Sequence, residues 1–106
     1  MFEVLLAPSA AVSFRALPAR VRATVRDAIE RHLRYQPDRT SKSRIKRLRG
    51  LSHPQYRLRV DDTRVFYDIT EETVEILAIV SKAEAQDWLD TEGTPDERSG
   101  TGEDEG

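Results

Sequence analysis

Three arginines stand close together in the stretch YRLRVDDTRVFYD at residues 56–68, with Arg57 and Arg59 one residue apart and Arg64 across a short polar break. A guanidinium group is planar, stays charged, and can grip phosphate or carboxylate oxygens two at a time, so a fixed group of them suits holding an anion. The apolar residues Tyr56, Leu58 and Val60 alternate with Arg57 and Arg59, the period of a strand with one buried face. RVFYDI repeats that period with Val65, Tyr67 and Ile69, and Asp61, Asp62 and Thr63 between the runs are turn formers. A hairpin is therefore expected. Pairing Val60 with Val65, or equivalently Asp61 with Arg64, gathers the apolar residues on one face and Arg57, Arg59, Arg64 and Phe66 on the other.

The charge of the chain is segregated in the same sense. Residues 1–89 hold 16 Lys+Arg against 12 Asp+Glu, whereas residues 90–106 hold one Arg against seven acids, so the overall charge of −2 conceals a basic body. Between residues 39 and 60 there are eight basic residues and no acid. Such a patch suits a polyanion or an acidic protein partner. The 106 residues allow one small domain. With no cysteine, disulfides and thiolate metal sites are excluded, which fits a reducing cytoplasm. The N-terminal MFEVLLAPSAAV has no basic leader and is broken by Pro8, so it is a poor signal peptide, and no apolar run is long enough to span a bilayer.

The elements that must position the arginines follow from pattern. Residues 2–6 read as a first strand closed by Ala7-Pro8, and residues 9–17 as a short helix. Pro18 suits the first turn of a longer helix in which Val21, Val25, Ala28, Ile29 and Leu33 recur at helical spacing until Gln36-Pro37 ends it. Residues 39–50 read as a polar loop anchored by Ile45 and Leu48. After the hairpin, a turn through residues 70–73 leads into VEILAIV, whose near-continuous apolar run predicts a central strand covered on both faces. Ser81 with Glu84 forms a capping box opening a short helix with Ala85, Trp88 and Leu89 facing inward. The expected fold is α+β: a helical hairpin on an antiparallel sheet of about four strands, in the order β-α-α-β-β-β plus a short C-terminal helix. Residues 1–89 form the domain, and residues 90–106 are expected to be a disordered acidic tail.

The ordered set LRG at residues 48–50, YRLRV at 56–60, RVFYDI at 64–69 and the apolar strand at 74–80, with the helical pair upstream, resembles the RelE/ParE superfamily of toxins from type II toxin–antitoxin systems. The resemblance covers roughly residues 2–89 and lies on the RelE-like side. It implies a cytoplasmic toxin neutralised by a cognate antitoxin. RelE-like members cleave messenger RNA on the ribosome, an mRNA interferase activity that inhibits translation, whereas ParE-like members poison DNA gyrase. Metal-independent cleavage by a 2′-hydroxyl requires orienting the attack and neutralising the phosphorane oxygens, and neither a metal nor another cofactor is expected. Arg57, Arg59 and Arg64 match the basic active-site positions of RelE-like strands, and Lys82 falls near the basic residue after the last strand. Lysines often hold the first two positions, and Trp88 stands near a family tyrosine. An indole can stack on a base but cannot donate a proton as an acid would. Lys46, Arg47, Arg49, Phe66 and Trp88 complete the expected RNA-binding set.

Plainer roles compete for each residue. Arg57 and Arg59 also suit a solvated face or an acidic partner, and Arg64 also suits an ion pair with Asp61, Asp62 or Asp68. Trp88 stands at core spacing, His53 suits a turn cap, His32 a helix edge, and Tyr56 and Tyr67 the core. Two functions of different class follow: a ribosome-dependent RNA endonuclease, or a non-enzymatic binder that inhibits gyrase or only pairs with its antitoxin.

Overall fold

Alternation in β4 (Tyr56–Val60) and β5 (Thr63–Thr70) does produce a hairpin, and it lies inside a five-stranded sheet of order β1-β6-β5-β4-β2 in the computed structural model, which describes residues 1–96. The other members are β1 (Glu3–Leu6), β2 (Ile45–Arg47) and β6 (Thr73–Ser81). β1 runs parallel to β6 while the remaining pairs are antiparallel, so the sheet is mixed and not wholly antiparallel. The α+β class and the helical hairpin stand as expected. The fifth strand is β2, which falls within the stretch expected to be loop.

Helix α1 (Pro8–Ala16) opens with proline in its first turn, where a missing N–H is harmless. Leu17 and Pro18 then lead into α2 (Ala19–Ala28), for which Pro18 is the N-cap and not the first helical residue. The chain continues from α2 into one π-helical turn, Ile29–Leu33, which keeps both Ile29 and Leu33 buried. Val25, Leu33, Leu58, Val65, Tyr67 and Ile76 form the centre of the core between helices and sheet. Burying each such side chain contributes on the order of 1.5–3 kcal/mol. Tyr67 stacks on Tyr56 with centroids 5.6 Å apart and donates its hydroxyl to the Pro37 carbonyl at 2.6 Å. Burial pushes the Tyr67 hydroxyl pKa far up, so it remains a donor and ties the segment after α2 to the sheet.

The apolar β6 is internal, between β1 and β5, as its composition requires. Ser81 caps α3 (Lys82–Glu92), its Oγ accepting from the Glu84 N–H at 3.3 Å and donating to the Glu84 carboxylate at 3.1 Å. Regular structure continues past residue 89: α3 reaches Glu92, and β7 (Thr94–Pro95) pairs with β3 (Leu51–His53) in a separate two-stranded sheet. At Gly93, where the chain turns from helix to strand, a Cβ would lie 2.5 Å from the Leu89 carbonyl oxygen, so only glycine fits. The rest of the expected acidic tail, residues 97–106, lies outside the described residues. Among the described residues, no helix is long and apolar enough to cross a membrane.

Candidate functional site

The hairpin register decides which cations meet. Val60 pairs with Thr63, Arg59 with Arg64, Leu58 with Val65 and Arg57 with Phe66. The register therefore differs from the expected one by two residues, and only Asp61 and Asp62 form the turn. A shift of two preserves parity, so the expected sharing of a face by Arg57, Arg59, Arg64 and Phe66 holds. Asp61 takes φ of 52°, a left-handed conformation that the short polar Asp side chain tolerates.

β2 extends the cationic face. Lys46 pairs with Arg57, so a row of the sheet reads Lys46, Arg57, Phe66 and Ala78, with Arg59, Arg64 and Val80 in the next row. The Arg59 N–H points to β2, donating to the Arg44 carbonyl at 2.8 Å, which makes Arg59 and Arg64 a pair without mutual backbone bonds, the kind whose side chains sit closer. Arg64 is buried at 7% exposure and bonds only to carbonyls, its Nη1 donating to Asp61 O at 2.7 Å and Thr63 O at 3.1 Å. No carboxylate among the described residues pairs with it; Asp68, an expected alternative partner, is engaged elsewhere. Burial first, then the charges of Arg57 and Arg59, push the Arg64 pKa down, with Asp62 opposing. Arg57 is half-buried, and its buried Nε has no hydrogen-bond partner among the described residues. A convergent, under-neutralised cluster with an unused donor is costly to keep and is suited to an anion.

Lys82 is exposed, and its N–H donates to Asp62 O at 2.7 Å, so it starts α3 beside the hairpin turn at the Arg59–Arg64 end of the face. Arg49 is exposed in the turn before β3. Arg47 and Phe66, two residues of the expected RNA-binding set, sit differently from these. Arg47 pairs with Tyr56 and faces the helical side, its guanidinium 5.2 Å over the Tyr56 ring and its Nη1 donating to Gln55 O at 2.8 Å. β2 exists, and alternation along it puts Lys46 and Arg47 on opposite faces. Phe66 shares the arginine face but is fully buried, because α3 folds back and lays Trp88 over it with centroids 5.2 Å apart and planes 7° from parallel. Phe66 is closed off by that stack, whereas Trp88, half-buried, covers it with one ring face.

Reasoning from sequence missed one pair. His53 Nδ1 lies 2.5 Å from Asp68 Oδ2, and Asp68 Oδ1 accepts the Gln55 N–H at 2.8 Å, so a buried carboxylate orients an exposed imidazole. With Trp88, Glu75 and Glu92 they line a cleft of about 670 Å³, and on β5 Phe66 separates Asp68 from Arg64. No local pattern signals a contact fifteen residues apart. Among the described residues there is no group of three or more His, Cys, Asp or Glu placed to hold a metal.

The family model described as the ParE toxin of type II toxin-antitoxin system, parDE, matches residues 4–86. No curated protein matches the chain significantly. Among solved structures, the RelB–RelE antitoxin–toxin complex from Methanococcus jannaschii contains a chain 20% identical, with a TM-score of 0.60 over 80% of this chain and 98% of that one. The YoeB/ParE toxin from Agrobacterium tumefaciens is 14% identical with a TM-score of 0.61 over 76% and 98%. The archaeal RelE–RelB complex from Pyrococcus horikoshii OT3 is 23% identical with a TM-score of 0.58 over 76% and 94%. At these identities the likeness is one of fold.

Proposed function

The chain belongs to the ParE toxin family of type II toxin–antitoxin systems, within the RelE/ParE superfamily, and from that premise we propose that it is a cytoplasmic, ribosome-dependent mRNA endonuclease held in check by a cognate antitoxin. The observation that carries the reading is the Arg57–Arg59–Arg64 cluster: three guanidinium groups on one hairpin face, with Arg64 buried and paired to no carboxylate among the described residues. Rigid strands keep such charges in place for a developing anion, which is where electrostatic catalysis has most effect.

In the proposed step the RNA 2′-oxygen bonds to the adjacent phosphorus while the bond to the 5′-oxygen breaks. The products are a 2′,3′-cyclic phosphate and a free 5′-hydroxyl. Arg57 and Arg59 hold the equatorial oxygens, and Arg64 fixes the field from beneath. The 2′-hydroxyl proton passes to solvent, and the Lys82 ammonium, at the same end of the face, supplies a proton to the leaving oxygen. Lys46 beside Arg57 and the exposed Arg49 extend the phosphate track. Neutralisation by an acidic antitoxin segment covering this face follows the same charge logic.

Mapping transcript ends after induction of the full chain in cells tests the proposal. New 5′-hydroxyl ends inside reading frames, lost with Arg57→Ala plus Arg59→Ala, are expected; growth arrest without new ends would refute it. The second reading, gyrase inhibition, is favoured by the match to the ParE family model and by Trp88 lying packed on Phe66 with no acid in the tyrosine's place. It predicts blocked supercoiling by purified protein with RNA left intact.

A further inference from the structure

We propose that the cleft between the π-helical turn and the loop leading into β2 is a second nucleic-acid site, holding a phosphodiester of single-stranded RNA on Arg31, Arg39 and Arg44 with a neighbouring base stacked on Tyr35. This rests on the RNA reading above for the identity of the polyanion, and it gives that RNA a path beyond the strand face.

The cleft has a volume of about 280 Å³ and no Asp or Glu in its lining. That is the low end for a small-molecule site, roughly 300 Å³, and suits one backbone unit. Three arginines line it, and among the described residues none makes an ion pair; Arg39 donates only to the Gln36 side-chain carbonyl at 3.0 Å. His32, also in the lining, reports their field: after burial, the charges of Arg44 and Arg31 push its imidazole pKa down. The loop is fixed, since Ser41 Oγ accepts from the N–H groups of Arg44 and Ile45 at 3.0 and 3.4 Å and Tyr67 anchors Pro37. The backbone that carries Arg39 and Arg44 is therefore held in place, and their exposed guanidinium groups stand beside that of Arg31 on the π-helical turn.

Two observations favour RNA over an acidic peptide. Tyr35 is 62% exposed on the cleft wall, a large aromatic surface of the kind on which bases stack. The cleft also adjoins the strand face at the β2 edge, because the residue whose carbonyl accepts the Arg59 N–H is Arg44 itself. A strand lying across Arg57, Arg59 and Lys46 can round that edge into the cleft. An acidic peptide would call for apolar anchor pockets, and Ile45, the one aliphatic residue of the lining, is 97% buried in the core.

Fluorescence anisotropy with the full chain and a short labelled single-stranded RNA tests this. Arg31→Ser plus Arg39→Ser plus Arg44→Ser should weaken binding about 10-fold or more at low salt and flatten the slope of log affinity against log salt by about 1, the loss of one to two phosphate contacts. Tyr35→Ala should weaken binding about 5- to 100-fold, and Tyr35→Phe should stay near wild type. Arg39→Glu alone, a change in an exposed loop, supplies a variant that spares the helix and β2. Cleft variants that bind like wild type while Arg57→Ser plus Arg59→Ser loses binding would overturn the cleft and leave the strand face standing. Loss of binding in neither set would overturn both. Equal displacement of the RNA by polyglutamate, with Tyr35→Ala harmless, would reassign the cleft to an acidic peptide and overturn the proposal.

Discussion

Replacing Arg59 by Gln should make this protein more stable while disabling it. Arg59 lies directly across from Arg64, and Arg57 lies diagonal to Arg64, in a sheet face where Arg64 has no carboxylate partner among the described residues. Directly opposite residues have Cβ atoms roughly 4.5–5.5 Å apart. Two unit charges about 5 Å apart interact with about 3 kcal/mol at an effective dielectric of about 20, a ceiling before screening. Arg59 is exposed and its long side chain can splay, so the size of exposed charge-pair effects, at most about 1 kcal/mol, is the better guide. Glutamine keeps much of the stem and removes the charge. A gain of about 0.5–1 kcal/mol should raise Tm by about 2–8 °C in a domain of this size. Salt supplies the discriminating arm. The screening length falls from about 10 Å at 0.1 M to about 3 Å at 1 M, so the wild type should gain more from salt and the gap should narrow. Thermal melts of both proteins at low and high salt, followed by circular dichroism, would measure this. A variant that melts at or below wild type in low salt, or a gap indifferent to salt, would refute the claim that the face is held against its own repulsion for a ligand.

Three further outcomes follow from particular contacts. Trp88→Ala uncovers the fully buried Phe66 and should cost about 3–5 kcal/mol, measured by urea unfolding, whereas Trp88→Phe should keep most of the stack. Tyr67→Phe leaves the Pro37 carbonyl unpartnered and should cost about 1–3 kcal/mol, with faster amide hydrogen exchange in residues 38–44. His32 has a folded-state pKa below its ordinary value, so the unfolded chain binds its proton more tightly. Its contribution is absent well above the unfolded pKa, about 6.5, and turns destabilising as pH falls through that value toward the folded one. His32→Gln should therefore lose less stability than wild type between about pH 7 and 5 in matched denaturant titrations.

The arginine face was legible in the sequence because parity alone defines it. Tyr56, Leu58 and Val60 must turn inward, and any even shift of register leaves Arg57, Arg59 and Arg64 together. For the same reason the two-residue difference in register left no trace in the pattern. β2 was hidden because three residues with a single apolar member carry no period, and without that strand nothing separates Lys46 from Arg47. The parallel alignment of β1 with β6 is a matter of topology, which composition does not encode. Phe66 was placed on the correct face, but its burial depends on where α3 lands, and a local pattern cannot report that. His53 and Asp68 meet only because the chain between them folds back as a hairpin strand. The β6 run and the Ser81 cap, by contrast, are local signals and were read correctly.

The central claim is that the under-neutralised arginine face works on an RNA phosphate. It is tested most directly by adding the purified full chain to a ribosome-programmed translation mixture with a defined mRNA and sequencing the ends formed. The account predicts cleavage only with ribosomes present, a 2′,3′-cyclic phosphate on the upstream fragment, and loss of cutting in Arg57→Ala plus Arg59→Ala with the melting transition retained. Intact mRNA under those conditions, together with blocked gyrase supercoiling by the same preparation, would contradict it.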